Sequence, residues 1–155
     1  SGYCVAVGTS AMRQNEGSWD CVAIGDFSQG MNFGGDGNTS VGASSLALVQ
    51  NGGDNTAIGT EAAYHVSGSN NTYVGRYNGK SDAQGTDHSL LDGQVILSDG
   101  LENIRLHIDE LGAVHGTSFV GDGSQLTGLL RSQEFAALEK RICELEKKLS
   151  DAGLS

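Results

Sequence analysis

The residues able to do acid–base, redox or metal chemistry are few and scattered. The four histidines, His65, His88, His107 and His115, show no metal-ligand spacing to one another. His107 alternates with Leu106 and Ile108, so a solvated or polar-stacked ring is expected there rather than an axial metal ring. Cys4, Cys21 and Cys143 are odd in number and include no Cys-x-x-Cys, which argues against a disulfide framework and against a zinc site. No nucleophile elbow or paired-carboxylate motif stands out. No catalytic residue, metal or cofactor is therefore assigned, and binding without turnover is the expected chemistry. Its candidates are rings in or beside loops: Trp19, Phe33, Tyr64 and Tyr77 are taken as receptor contacts. Exposed rings stack on sugar faces while Asn and Asp bind the hydroxyls. Subunit packing is the competing role, equally suited to Trp19 and better suited to Tyr73.

The elements that would carry these rings repeat. Val5-Ala6-Val7-Gly8, Val22-Ala23-Ile24-Gly25, Thr39-Ser40-Val41-Gly42, Thr56-Ala57-Ile58-Gly59 and Thr72-Tyr73-Val74-Gly75 read alike, with glycines spaced 17, 17, 17 and 16 residues apart. Inside each segment Val, Ile or Thr alternates with a mostly small residue, which is strand periodicity. Ala11, Ser28, Ser45, Ala62 and Asn78 follow three residues after each glycine, and Asn, Asp, Gly, Ser and Gln fill the rest. One strand in 17 residues is too short a unit for a helix pair and suits one coil of a parallel β-solenoid. Stacking then predicts columns: Cys4 over Cys21, continued by an Asn ladder of Asn38, Asn55 and Asn71. The cysteines are read as small ladder residues rather than a bridge. The Val5, Val22, Thr39, Thr56 and Thr72 column is expected to face inward, which counts against an ice-binding solenoid.

Composition narrows the class. Gly numbers 24 of 155 residues, Pro is absent and 37% of residues are hydrophobic, so a single coil stack closes only a thin core. Five basic and five acidic side chains cancel within 131–155, so residues 1–130 carry the whole formal charge of -10. That charge offers no basic footprint for nucleic acid, and no apolar run reaches the ~20 residues of a membrane helix. Gly34-Gly35-Asp36-Gly37 and Gly52-Gly53-Asp54 place carboxylates in glycine-rich loops. A calcium-binding roll needs two such loops in every coil, so solvated turns are the reading and a calcium-dependent lectin or enzyme is a second alternative.

Residues 131–155 differ. Phe135, Leu138, Ile142, Leu145, Leu149 and Ala152 fall at steps of 3, 4, 3, 4 and 3, a heptad seam. Arg141 through Glu146 (Arg, apolar, two free positions, apolar, Glu) resembles a short trimer-specifying pattern in which the Arg meets the neighbouring chain's Glu. Trimerisation is therefore assigned to Phe135, Leu138, Arg141, Ile142, Leu145, Glu146 and Leu149, and Cys143 falls at an outward position.

Asp20-Cys21-Val22-Ala23-Ile24-Gly25 and Asn55-Thr56-Ala57-Ile58-Gly59 resemble the head repeats of trimeric autotransporter adhesins, over residues 3–80, with longer repeats than are usual there. Val95 through Ile108 and Phe119 through Leu129 are similar to segments near the C-terminal ends of phage tail fibres. A chain that closes after its coil without a membrane barrel also favours the phage. The resemblance implies an all-β, trimeric chain: a parallel β-solenoid (β-roll) head over 1–80, an interwound β neck over 81–130, and a short C-terminal α-helical coiled coil over 131–155. The function it implies is structural and host-receptor binding in a bacteriophage tail fibre, extracellular on the virion. Its partners would be two further copies, other fibre segments and a host surface glycan or protein, without nucleic acid or membrane insertion. A bacterial trimeric adhesin head is the alternative.

Overall fold

A computed structural model describes residues 2–116 and 133–151, the latter by backbone alone as far as 139. The chain divides into two compact units at residues 118 and 119. The first is a β-solenoid of about four turns. The described residues of the second form one helix, α1 (Gln133–Asp151).

The repeats do form rungs. Strands β1 (Val5–Val7), β3 (Val22–Ile24), β5 (Thr39–Val41), β7 (Thr56–Ile58), β8 (Thr72–Val74) and β9 (Val95–Ser98) stack in parallel, in register. The sheet thus continues past residue 80, and β9 is its sixth rung although the coil before it is longer. β10 (Ile104–Ile108) and β11 (Val114–His115) then add antiparallel to β9 and β10 and close that edge. A second parallel sheet goes beyond the sequence expectation: β2 (Gln14–Glu16), β4 (Met31–Phe33) and β6 (Leu48–Gln50) stack opposite the first. Each coil of the first three therefore holds two strands.

Three-residue strands need sharp corners, and the corners use left-handed backbone. Gly25 has φ +134°, and a Cβ there would lie 2.5 Å from the carbonyl oxygen of Gly42 one coil on. Only glycine meets both demands. Ser10, Phe27, Ser44 and Glu61 recur at φ 54–60° in the next part of the corner. Inter-coil bonds hold that backbone in place: the N–H of Phe27 donates to Thr9 O, that of Ser44 to Asp26 O and that of Glu61 to Ala43 O, all at 2.8 Å.

The inward face reverses the expectation. Ala23, Ser40, Ala57, Tyr73 and Ile96 point into the coil and are buried, while Thr39, Thr56 and Thr72 stand half-buried on the outer face. Beside the second sheet the coil is narrow and small Ala23 and Ser40 take the inside, whereas Tyr73 and Ile96 fill coils beyond the end of that sheet. The interior changes along the stack. Ser28 bonds Ser40 (2.6 Å) and Ser45 (3.1 Å); further on, Leu46, Val49, Ala57, Ala62, Ala63 and Val66 make it apolar; Tyr73, Tyr77 and Ile96 finish it.

The Asn column is present in a different chemistry from the one expected. Asn side chains do not bond each other's amides. Asn38 Oδ1 accepts the backbone N–H of Asn55 (2.9 Å), Asn55 Oδ1 that of Asn71 (3.0 Å) and Asn71 Oδ1 that of Gln94 (2.8 Å). Their Nδ2 groups donate to loop carbonyls of Gly52, Gly68 and Leu91, each at 2.8 Å. Each Asn so satisfies one buried donor and one buried acceptor that the sheet leaves over. Cys21 holds the same place with a sulfur acceptor, buried and free.

Candidate functional site

Two features stand outside what the fold needs. The first is a ladder on the outer face of the main sheet. Val7, Ile24, Val41, Ile58, Val74 and Leu97 are successive register partners. All six are between 37 and 56% exposed. Beside them runs the column of Val5, Val22, Thr39, Thr56, Thr72 and Val95. An unbroken aliphatic row repeated at about 4.8 Å is a surface that water covers poorly.

The second feature lies at the end of the solenoid and has no counterpart in the sequence expectations. Asp82, Asp99 and Asp109 each head the same kind of turn. Asp82 Oδ1 accepts the N–H groups of Gln84 and Thr86, Asp99 Oδ1 those of Leu101 and Asn103, and Asp109 Oδ1 those of Leu111 and Ala113. In each, Oδ2 bonds a basic residue six positions on: His88 at 3.2 Å, Arg105 at 2.5 Å and His115 at 2.8 Å. The signal was legible as three occurrences of Asp, five residues, then His or Arg. Those contacts hold Asp99 well below the usual carboxylate range, led by the Asn103 side chain and the Leu101 N–H. For Asp109 the His115 ring leads. Burial pushes Asp82 up, yet the Thr86 N–H and the His88 ring outweigh it and its pKa is lowered.

These turns bring three histidines together. His88 and His107 meet edge-on with ring centroids 5.0 Å apart, and His107 and His115 stack at 5.2 Å with 26° between planes. His107 Nε2 bonds the Gln94 side-chain oxygen at the end of the Asn column. Tyr77 meets the far edge of His88 and stacks on Tyr73. His88 is fully buried and its Nδ1 has no partner. Burial first, then His88 and His115, lower the pKa of His107. A half-open cavity of about 740 Å³ adjoins the column, lined also by Leu91, Glu102, Ile104 and Glu110. Among the described residues no group of three or more His, Cys, Asp and Glu has the geometry to hold a metal ion.

The four rings named as receptor contacts are not brought together. Trp19 is 53% exposed, its backbone N–H donating to Asp36 Oδ1 at 2.8 Å, which gives that glycine-loop carboxylate a structural partner. Phe33 and Tyr64 are half-buried. Tyr77 is 2% exposed, with its hydroxyl on Lys80 O (3.1 Å), so its ring leaves no face for a ligand and belongs to the core. Within α1, Ile142, Leu145 and Leu149 are about half exposed, and Arg141, Cys143 and Glu146 are exposed. Phe135 and Leu138 lie on the helix backbone, and their side chains fall outside the described residues, as does the whole of 119–130. Among the described residues no helix is long and apolar enough to cross a membrane.

Comparison with protein-family models, curated proteins and solved structures found no match.

Proposed function

We propose that this chain is one subunit of a homotrimeric, non-catalytic fibre segment, part of a bacteriophage tail fibre that binds a host surface glycan or protein. The observation that carries the reading is the outward ladder from Val7 to Leu97, which covers the length of the solenoid and needs a partner as long and as regular as itself. A second copy of the same face has that repeat and that length. Covering these side chains is worth roughly 1 kcal/mol each at about 25 cal/mol per Å². The exposed seam of Ile142, Leu145 and Leu149, with Arg141 and Glu146 beside it, supports three strands rather than two. The resemblance of 95–108 and 119–129 to tail-fibre segments supports the phage over the adhesin. Binding would act through three identical weak sites on one rigid body, with Trp19 the ring best placed to contribute.

An ice-binding reading gains one condition, since the Thr column faces outward. That column is half Val, and its threonines are half-buried. Native mass decides the assembly: three chains are expected, and one chain removes the proposal. A host-cell pull-down with the trimer, against a Trp19→Ala trimer, then tests the recognition role; equal loss of both after washing removes it. Thermal hysteresis would favour the ice-binding reading instead.

A further inference from the structure

We propose that the stacked rings of His88, His107 and His115 form a proton-operated latch, which holds the β10–β11 hairpin on the end of the solenoid near neutral pH and loosens it on acidification. The three rings come from three segments: His88 from the loop after β8, His107 from β10 and His115 from β11. His107 and His115 are register partners within the hairpin, so the His88–His107 contact is the tie between the hairpin and the coil stack.

The neutral column is held through its Nε2 atoms. Each Nε2 faces an acceptor: Asp82 for His88, Gln94 for His107 and Asp109 for His115. Protons change the two ends and the middle differently. A cation at His88 or His115 has its own carboxylate. A cation at His107 has only the neutral amide of Gln94, and sits 5.0 and 5.2 Å from two other titratable rings. Gln94 has no freedom to adapt, because it is buried and its Nε2 donates to Asp92 O at 2.8 Å.

The other groups do not cancel this. Asp82 and Asp109 are taken up by turn N–H groups and by the outer histidines. Arg105 is paired with Asp99, and Asp87 caps the Ser89 N–H. Tyr77 presents only its ring to His88. Glu102 and Glu110 line the cavity, Glu102 facing Arg76 and Asn78. The relief open to a charged His107 is to part from His88 and the Gln94 amide, which moves β10, and β11 with it, away from the loop bearing His88.

Amide hydrogen exchange of the full chain, corrected for intrinsic rates, tests this between pH about 7.5 and about 5. Opening at β9 and β10 is expected to rise by up to tenfold per pH unit below about 6.5, one proton taken up per opening, while amides of β3, β5 and β7 stay level. In His107→Gln the rise should vanish. His115→Gln, at an exposed position, removes one neighbour that lowers the His107 pKa, so it should leave the onset and shrink the total rise; it serves if the first variant does not fold. A wild-type profile with no added slope at β9 and β10, or a rise unchanged in the variants, overturns the latch.

Discussion

Ile58 and Val74 are register partners in adjacent rungs, and both side chains point away from the core, 45 and 38% exposed. Both belong to the outward ladder, so in the proposed trimer their exposed part is covered by another chain. Ile58→Asp is expected to leave the circular dichroism of the β-unit intact while lowering the native mass to a single chain. The substitution puts a carboxylate from each subunit into the proposed contact. A folded trimer with Asp at 58 would place the interface elsewhere.

Asn55 is worth more to the single chain than its size implies. Truncation to Ala strips an acceptor from the Asn71 N–H and a donor from Gly68 O, both buried. Each orphaned group costs about 1–3 kcal/mol. Asn55→Ala should therefore lose about 2–5 kcal/mol in urea titration, and Asn55→Asp should not restore it, because the acid keeps only the acceptor.

At Gly25 the backbone leaves no room. Alanine at that corner meets Gly42 O at 2.5 Å and must also hold φ +134°. A loss of about 3 kcal/mol or more is expected, in the range of severe backbone substitutions. Gly85 also has a positive φ, but a Cβ added there would find open space, with no atom within 4 Å. Its alanine variant isolates the conformational cost, about 1 kcal/mol, and the difference between the two midpoints measures the clash.

Tyr73 and Tyr77 stack inside the last coils, and only Tyr77 has a partner for its hydroxyl. Tyr73→Phe removes a buried, unpaired hydroxyl and should be neutral or stabilising by about 1 kcal/mol. Burial raises both phenol pKa values in the fold, helped at Tyr73 by Tyr77 and then Asp87, and at Tyr77 by Asp82, Asp87 and Glu102. A raised folded pKa means that stability is full below the unfolded value of about 10 and falls as pH rises above it. Alkaline unfolding followed by tyrosinate absorbance should therefore coincide with loss of circular dichroism, and Tyr73→Phe should move it to higher pH.

The stacking of coils was legible because the position before each corner glycine keeps its character: Val or Ile precedes Gly8, Gly25, Gly42, Gly59 and Gly75 alike. Which face turns inward was not legible. Alternation in Val22-Ala23-Ile24 is the same whichever side is buried, and only the width of the coil, set by the second sheet, decides it. That sheet is hidden in the sequence because Gln14-Asn15-Glu16, Met31-Asn32-Phe33 and Leu48-Val49-Gln50 share almost no residue type. Its strands are specified by the corners around them and by the neighbour they stack on. The histidine column was hidden for a related reason. His88, His107 and His115 are 19 and 8 residues apart, and their meeting follows from hairpins whose Asp heads look, in sequence, like ordinary turn residues.

The left-handed corner at Gly25, with the Gly42 carbonyl pressed against it, makes this architecture countable. Insertions of a few residues can be absorbed only in loops such as the long one between β8 and β9. Everything else must change by a full circuit, so excising 39–55 would seat Thr56 on Val22 and shorten the object by one increment of about 4.8 Å. Reach is thus a quantised property of this protein, adjustable without redesigning either end.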